Sequence, residues 1–402
     1  MARRILMAAG LAVLIVGVWY VAQSNVASQA EREAPRFEVD PFWPKPLPNA
    51  WLLGSTIGLW VDEQDHVWVV HDPASFDGNE VTLAADPPIA VDCCSAAPPV
   101  LEFDPEGNLV SSWGGPGEGF DWPARGHGIA VGRDGNVWIG GNGDSDSHMV
   151  VFSRAGEFVM QVGQAGARRG PDDADGNPTW VRDSTDQEGF GRVAEMWVDD
   201  ANGEVYVADG YLNRRVAVVD AVTGAMLRQW GAYGDPVDDS ETGAYDPAVG
   251  VSRTFRNPVH CVALSNDELL YVCDRANNRV QVFRTDGTFV DEVTFAEGTL
   301  GAGAAWDVAF SVDPEQRFLY VADGLNRRVR IFDRASLDLL TSFGEGGRQP
   351  GQFYGVHNIA VDSAGNLYTV ETWEGKRIQR FVNRGIEPVT TMDQGTVWPA
   401  AP

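Results

Sequence analysis

Three of the chain's six histidines stand at matching places in short apolar phrases: His127 in "GHGIAV" (126–131), His260 in "VHCVAL" (259–264) and His357 in "VHNIAV" (356–361). If the phrases belong to a ring of repeated strands, these side chains converge on one axial point. Three imidazoles with a fourth position open suit a catalytic zinc, which favours nitrogen donors. The plain alternative is local hydrogen bonding at the start of a strand. A second set of residues lies in near-copies of another phrase. "YVADGYLNRRVAVVD" (206–220) carries Tyr211 after its Asp-Gly, "YVCDRANNRVQVF" (271–283) carries Arg275 at that spot, and "YVADGLNRRVRIF" (320–332) carries Leu325. The flanking strands repeat while this position changes, so it is where a scaffold would hold chemistry. The bland readings of Tyr211 and Arg275 are a rim aromatic packed on the next repeat and an inter-repeat ion pair.

The elements that would position these residues repeat six times, over approximately 56–114, 127–163, 193–231, 259–296, 305–344 and 356–383. Each copy reads as four short strands, with Asp, Asn and Gly at the bends of "VGRDGNVWIGG", "VDDANGEVYVADG" and "VDSAGNLYTVE". Four strands at this period predict an all-β, six-bladed β-propeller. The last copy is short of an outer strand, and "RFEVD" (36–40) is placed to supply it and close the ring. Aligning the start of each innermost strand gives Ile57, His127, Ala194, His260, Trp306 and His357, so histidine occupies every second blade. Turns on one face are uniformly tight. The insertions 73–99, 163–192 and 232–258 all fall on the other face, which carries Tyr211 and Arg275 and is the expected binding face. His66, His71 and His148 are off the histidine register and are expected on the surface or in loops.

The 57 acidic residues outnumber the 30 basic ones, which argues against nucleic acid or an anionic membrane as partner. Residues 1–30 have Arg3 and Arg4 ahead of an uncharged stretch, 5–22, then small and polar residues. That is the layout of an export signal or a membrane anchor, and its length favours the signal. Residues 31–402 are then expected to form the propeller, periplasmic or secreted, touching a membrane only through that segment. Outside the cytoplasm disulfides form. Cys261 and Cys273 fall nearly opposite on two successive strands, so a cross-strand bridge is open to them. Cys93 and Cys94 could pair with each other or with other partners. No CxxC pair is present, which argues against a thiolate zinc site.

The repeats resemble NHL repeats. The combination "GHGIAV", "DGYLNRRV", "VHCVAL…DRANNRVQVF" and "VHNIAV" is similar to the peptidyl-α-hydroxyglycine α-amidating lyases. The resemblance implies zinc on His127, His260 and His357, Tyr211 as catalytic tyrosine, a general base once its hydroxyl is acidified from the free value of about 10, and Arg275 as an active-site arginine that clamps the substrate carboxylate through paired hydrogen bonds. It implies a reaction in which a C-terminal α-hydroxyglycine loses its C–N bond to give an amide and glyoxylate. The expected partner is thus a small molecule or a peptide C-terminus, bound by a monomer. There are departures. Asp72 stands where the family has an essential arginine, which disfavours an anionic substrate unless another group compensates. Gly355 and Val356 replace a Met-Pro, and Asn358 replaces an Asp that binds a structural calcium; an amide oxygen still coordinates calcium, with less charge. The other readings are a non-catalytic NHL platform for ligands or proteins, and another propeller metalloenzyme such as a lactonase.

Overall fold

A computed structural model describes residues 32–400; the export or anchor segment expected over 1–30 lies outside them. Six four-stranded antiparallel sheets make the blades of a propeller. Their innermost strands are Ser55–Val61, Gly126–Val131, Val193–Asp199, Val259–Leu264, Ala305–Phe310 and Val356–Val361. Each touches the innermost strands on either side, and the sixth returns to the first. The ring is closed by Glu33–Asp40, which pairs antiparallel with Arg377–Pro388 as the outer strand of the last blade. The expected closing segment, 36–40, is the second half of that strand. The closing strand is itself the outer edge of this blade and ties the first strand of the ring to the last.

One aromatic per blade explains the close packing of neighbours. Trp68, Trp138, Tyr206, Tyr271, Tyr320 and Tyr368 hold the same place on each second strand, and all are buried. Each contributes roughly 2–3 kcal/mol through the apolar area it removes from water.

The register is interrupted at one place in every innermost strand. The pairing shifts between Thr56 and Gly58, Gly126 and Ile129, Val193 and Glu195, Val259 and Cys261, Ala305 and Asp307, and Val356 and Ile359. A β-bulge leaves its extra residue unpaired and re-aims its side chain. Each of these bulges contains one of the six aligned positions, so the bulge turns His127, His260 and His357 into the channel. Cys261 and Cys273 are direct cross-strand partners and form a disulfide, with Cα atoms 4.8 Å apart. Cys93 and Cys94 pair with each other.

Candidate metal centre and active-site cavity

The three channel histidines are buried, and each is oriented in the same way. His127 Nδ1 donates to the Ala194 carbonyl at 2.7 Å, His260 Nδ1 to Trp306 at 2.5 Å, and His357 Nδ1 to Ile57 at 2.9 Å. The acceptors are the three aligned positions that lack histidine, each on the next blade. Donation from Nδ1 fixes the tautomer and leaves the Nε2 lone pair facing the axis. Burial holds all three rings neutral. It pushes His127 and His260 well below the ordinary imidazole range and His357 down to about 3, with the Arg275 charge adding to the effect at each.

Tyr211 enters this group from the side. Its hydroxyl lies 2.8 Å from His127 Nε2 and 3.0 Å from His260 Nε2, and it accepts a hydrogen bond from Arg275 Nη1 at 3.0 Å. One phenolic proton cannot satisfy two imidazole lone pairs. His357 Nε2 makes no hydrogen bond among the described residues. One atom from each histidine can be chosen so that the three lie within 4.8 Å of one another. A set of inward, neutral nitrogen donors short of positive charge fits a divalent metal ion.

The loops that carry Tyr211 and Arg275 are held by the repeated Asp…Asn…Arg of the sequence. Asp209 accepts from Asn213 Nδ2 and Arg215 Nε, both at 2.8 Å, and Asp274 accepts from Asn277 Nδ2 at 2.7 Å and Arg279 Nε at 2.8 Å. Asp323 likewise accepts from Asn326 Nδ2, but its arginine is Arg330, two places beyond the repeat's Arg328, and Leu325 there packs on the apolar core. The motif is thus scaffold, and the residue within it is free to vary. Gly210 must be glycine, because a Cβ would overlap the Val259 backbone. The insertions after residues 163 and 232 brace the Tyr211 loop through Arg182 and Asn257, both bonded to the Leu212 carbonyl. Arg275 lies over Trp306, its carbon 4.7 Å from the ring centroid, and has no carboxylate partner among the described residues. Its Nε is buried without a hydrogen bond.

A cavity of about 490 Å³ opens onto these groups on the elaborated face. His127, His357, Tyr211, Arg275, Trp306 and Asp72 line it, with Arg125, Trp373 and Lys376 toward the mouth. Asp72 caps the turn Pro73–Ser75 through Ala74 N at 2.9 Å and faces Arg125 Nε at 3.6 Å, so its charge is countered.

Asn358, the expected calcium ligand, is buried among polar groups: its oxygen meets His357 Nδ1, and its Nδ2 donates to Glu195 Oε1 at 2.8 Å. Beside it lie Glu195 and Asp307, both buried. Burial and the neighbouring Asp307 push Glu195 well above the usual carboxylate range, and burial pushes Asp307 up to about 7. These two carboxyls were missed from the sequence, although they occupy the position after Ala194 and Trp306 in the aligned strands.

The reading of His71 and His148 as surface or loop residues is corrected. Both are buried strand residues. His71 accepts from Gly54 N and donates from Nε2 to the Pro98 carbonyl, each at 3.0 Å, pinning the end of the 73–99 insertion. His148 Nε2 donates to the Asp121 carbonyl at 2.7 Å. His66 is half-buried beside Glu102.

Residues 257–283 match the NHL repeat family. They include His260 and Arg275. The chain is a six-bladed β-propeller that carries an NHL repeat and is similar to the amidating lyases. It is 28% identical over 258 residues to peptidyl-glycine alpha-amidating monooxygenase A of Xenopus laevis, covering 61% of this chain and 23% of the relative. It is 26% identical over 274 residues to peptidyl-alpha-hydroxyglycine alpha-amidating lyase 1 of Drosophila melanogaster, covering 65% and 45%. A probable peptidyl-alpha-hydroxyglycine alpha-amidating lyase of Caenorhabditis elegans is 25% identical over 259 residues, covering 63% and 62%. The matches thus span less than two thirds of these relatives. Among solved structures a streptogramin B lyase shares the fold, with a TM-score of 0.51 at 11% identity over 87% of this chain and 98% of that one.

Proposed function

We propose that this NHL propeller is an exported, zinc-dependent carbon–nitrogen lyase that cleaves an α-hydroxyglycine-type substrate to an amide and glyoxylate. The observation that carries the reading is the meeting of the inward Nε2 atoms of the three histidines, the Tyr211 hydroxyl and the Arg275 guanidinium at one place in the channel, beside the cavity. The likeness to proteins named as amidating lyases supports it. The buried Cys261–Cys273 disulfide supports work outside the cytoplasm.

Held by His127, His260 and His357, zinc would supply Lewis acidity toward a substrate oxygen. In its phenolate form Tyr211 takes the proton of the substrate hydroxyl. The O–H electron pair becomes the carbonyl of glyoxylate as the C–N bond breaks. The C–N pair stays on the amide nitrogen, which takes the proton back from Tyr211, so no water is consumed. Arg275 donates to the Tyr211 oxygen and favours the phenolate that accepts this proton. Trp306 and Trp373 offer apolar faces to the group preceding the glycine.

The test is direct. Purified protein is expected to hold about one zinc per chain and to release glyoxylate from α-hydroxyhippurate. Zinc without glyoxylate assigns another metal-dependent reaction. Metal content unchanged by His260→Ala overturns the centre itself.

A further inference from the structure

The cations around the cavity are unequally free. Lys376 is neutralised by Glu80, with Nζ 2.6 Å from the carboxylate, and also donates to the Ser75 carbonyl. Arg275 is committed to Tyr211 and to the Trp306 face. Arg125 differs from both. Its backbone is fixed: its N–H donates to Asp146 Oδ2 at 3.1 Å, and its carbonyl accepts from Asn142 N at 3.0 Å. Its side chain is 57% exposed and reaches a single carboxylate, Asp72, at 3.6 Å, beyond good hydrogen-bond length. Asp72 by contrast is held from the other side by the Ala74 N–H. The result is a held acid, a held backbone two residues before His127, and an exposed guanidinium with one long contact between the solvent and the channel. Its charge is felt at the His127 ring.

We infer that Arg125 is the group that captures the substrate carboxylate, and that Asp72 is a competitor that holds it at the mouth until an anion displaces it. This rests on the lyase reading for the identity of the substrate, but the capture of a carboxylate is independent of turnover. A guanidinium offers a carboxylate two parallel hydrogen bonds, whereas its contact with Asp72 is one long one. An anion therefore gains more from Arg125 than Asp72 loses. With Arg125 binding the carboxylate, Arg275 stays on Tyr211 throughout. The cationic place vacated at residue 72 is filled from the neighbouring blade.

The two partners of this ion pair then have opposite effects, which a merely structural pair would not. Hippurate, which has the carboxylate but no hydroxyl and is not cleaved, is titrated calorimetrically into the full-length, zinc-loaded protein. Its neutral analogue hippuramide is the control. Arg125→Gln is expected to weaken hippurate about ten- to a hundredfold, the range for losing a hydrogen bond to a charged group. Asp72→Asn keeps the cap on Ala74 and is expected to tighten hippurate several-fold. Hippuramide binding is expected to be equal in all three proteins. Unchanged hippurate affinity in Arg125→Gln overturns the proposal, and so does weakening in Asp72→Asn or a wild type that does not bind hippurate. Glyoxylate release from α-hydroxyhippurate is measured separately. Its absence, with the opposed affinity changes present, removes the lyase reading and leaves the carboxylate site standing.

Discussion

Arg275 Nη1 donates to the Tyr211 hydroxyl oxygen at 3.0 Å, across two neighbouring blades. The two residues lie in the same loop of successive copies of one repeat, so one repeated scaffold delivers a base and its electrostatic partner to one point. Tyr211→Phe is expected to lower kcat by about 10²–10⁴ while leaving zinc content unchanged. Metal analysis and kinetics on one sample check it, and loss of zinc along with activity would make Tyr211 a ligand instead.

Asp209 and Arg215 are both fully buried, and Asp209 is the fixed end of the Tyr211 loop. Removing one partner leaves the other charge unpaired in the interior. Asp209→Ala is expected to cost about 3–5 kcal/mol in denaturant unfolding. Asp286→Ala, in an exposed turn, is expected to leave the midpoint nearly unchanged.

His71 offers a pH test outside the metal centre. Burial pushes its pKa from 6.5 down to about 4. The unfolded chain takes up a proton on it in that window and the folded chain does not. Its contribution is therefore complete above pH 6.5 and lost as the pH falls toward 4. His71→Gln should be less stable than wild type at pH 7.5, with a deficit that shrinks by roughly 1 kcal/mol per pH unit between these values. Unfolding curves at pH 7.5, 6 and 4.5 decide it, and a constant deficit would refute the account.

The orienting carbonyls give a further prediction. His260 depends on the Trp306 carbonyl, whose strand is anchored by the Trp306 indole bonded to the Gly303 carbonyl at 2.7 Å. Trp306→Phe removes that anchor and the best face for Arg275. It is expected to weaken zinc about tenfold, the lower end for losing an outer contact, as read by competition with a chromophoric chelator.

Much of this was legible in the residues. Strand spacing, turn chemistry and the alternation of His127, His260 and His357 with Ile57, Ala194 and Trp306 are local and periodic, and a closed ring converts that period directly into geometry. Variation at Tyr211, Arg275 and Leu325 within a constant phrase marked where the scaffold releases its side chains. His71 and His148 were misread because burial depends on what covers a strand, here the 73–99 insertion and the Asp121 segment, and no period reports that. The pairing of Glu195 with Asp307 was missed for a similar reason. Each lies one place past an aligned position, and they meet only across the channel axis.

The sequence by itself determined the propeller, its closing strand and the three histidines, because these follow from repeats read along the chain. Only the tertiary structure decided that the blades between them supply the carbonyls orienting those rings, that Arg125 faces Asp72, and that Asn358 is engaged by Glu195. Those contacts join residues of different blades, and their partners are chosen by closure of the ring and by the need of buried polar groups for hydrogen bonds.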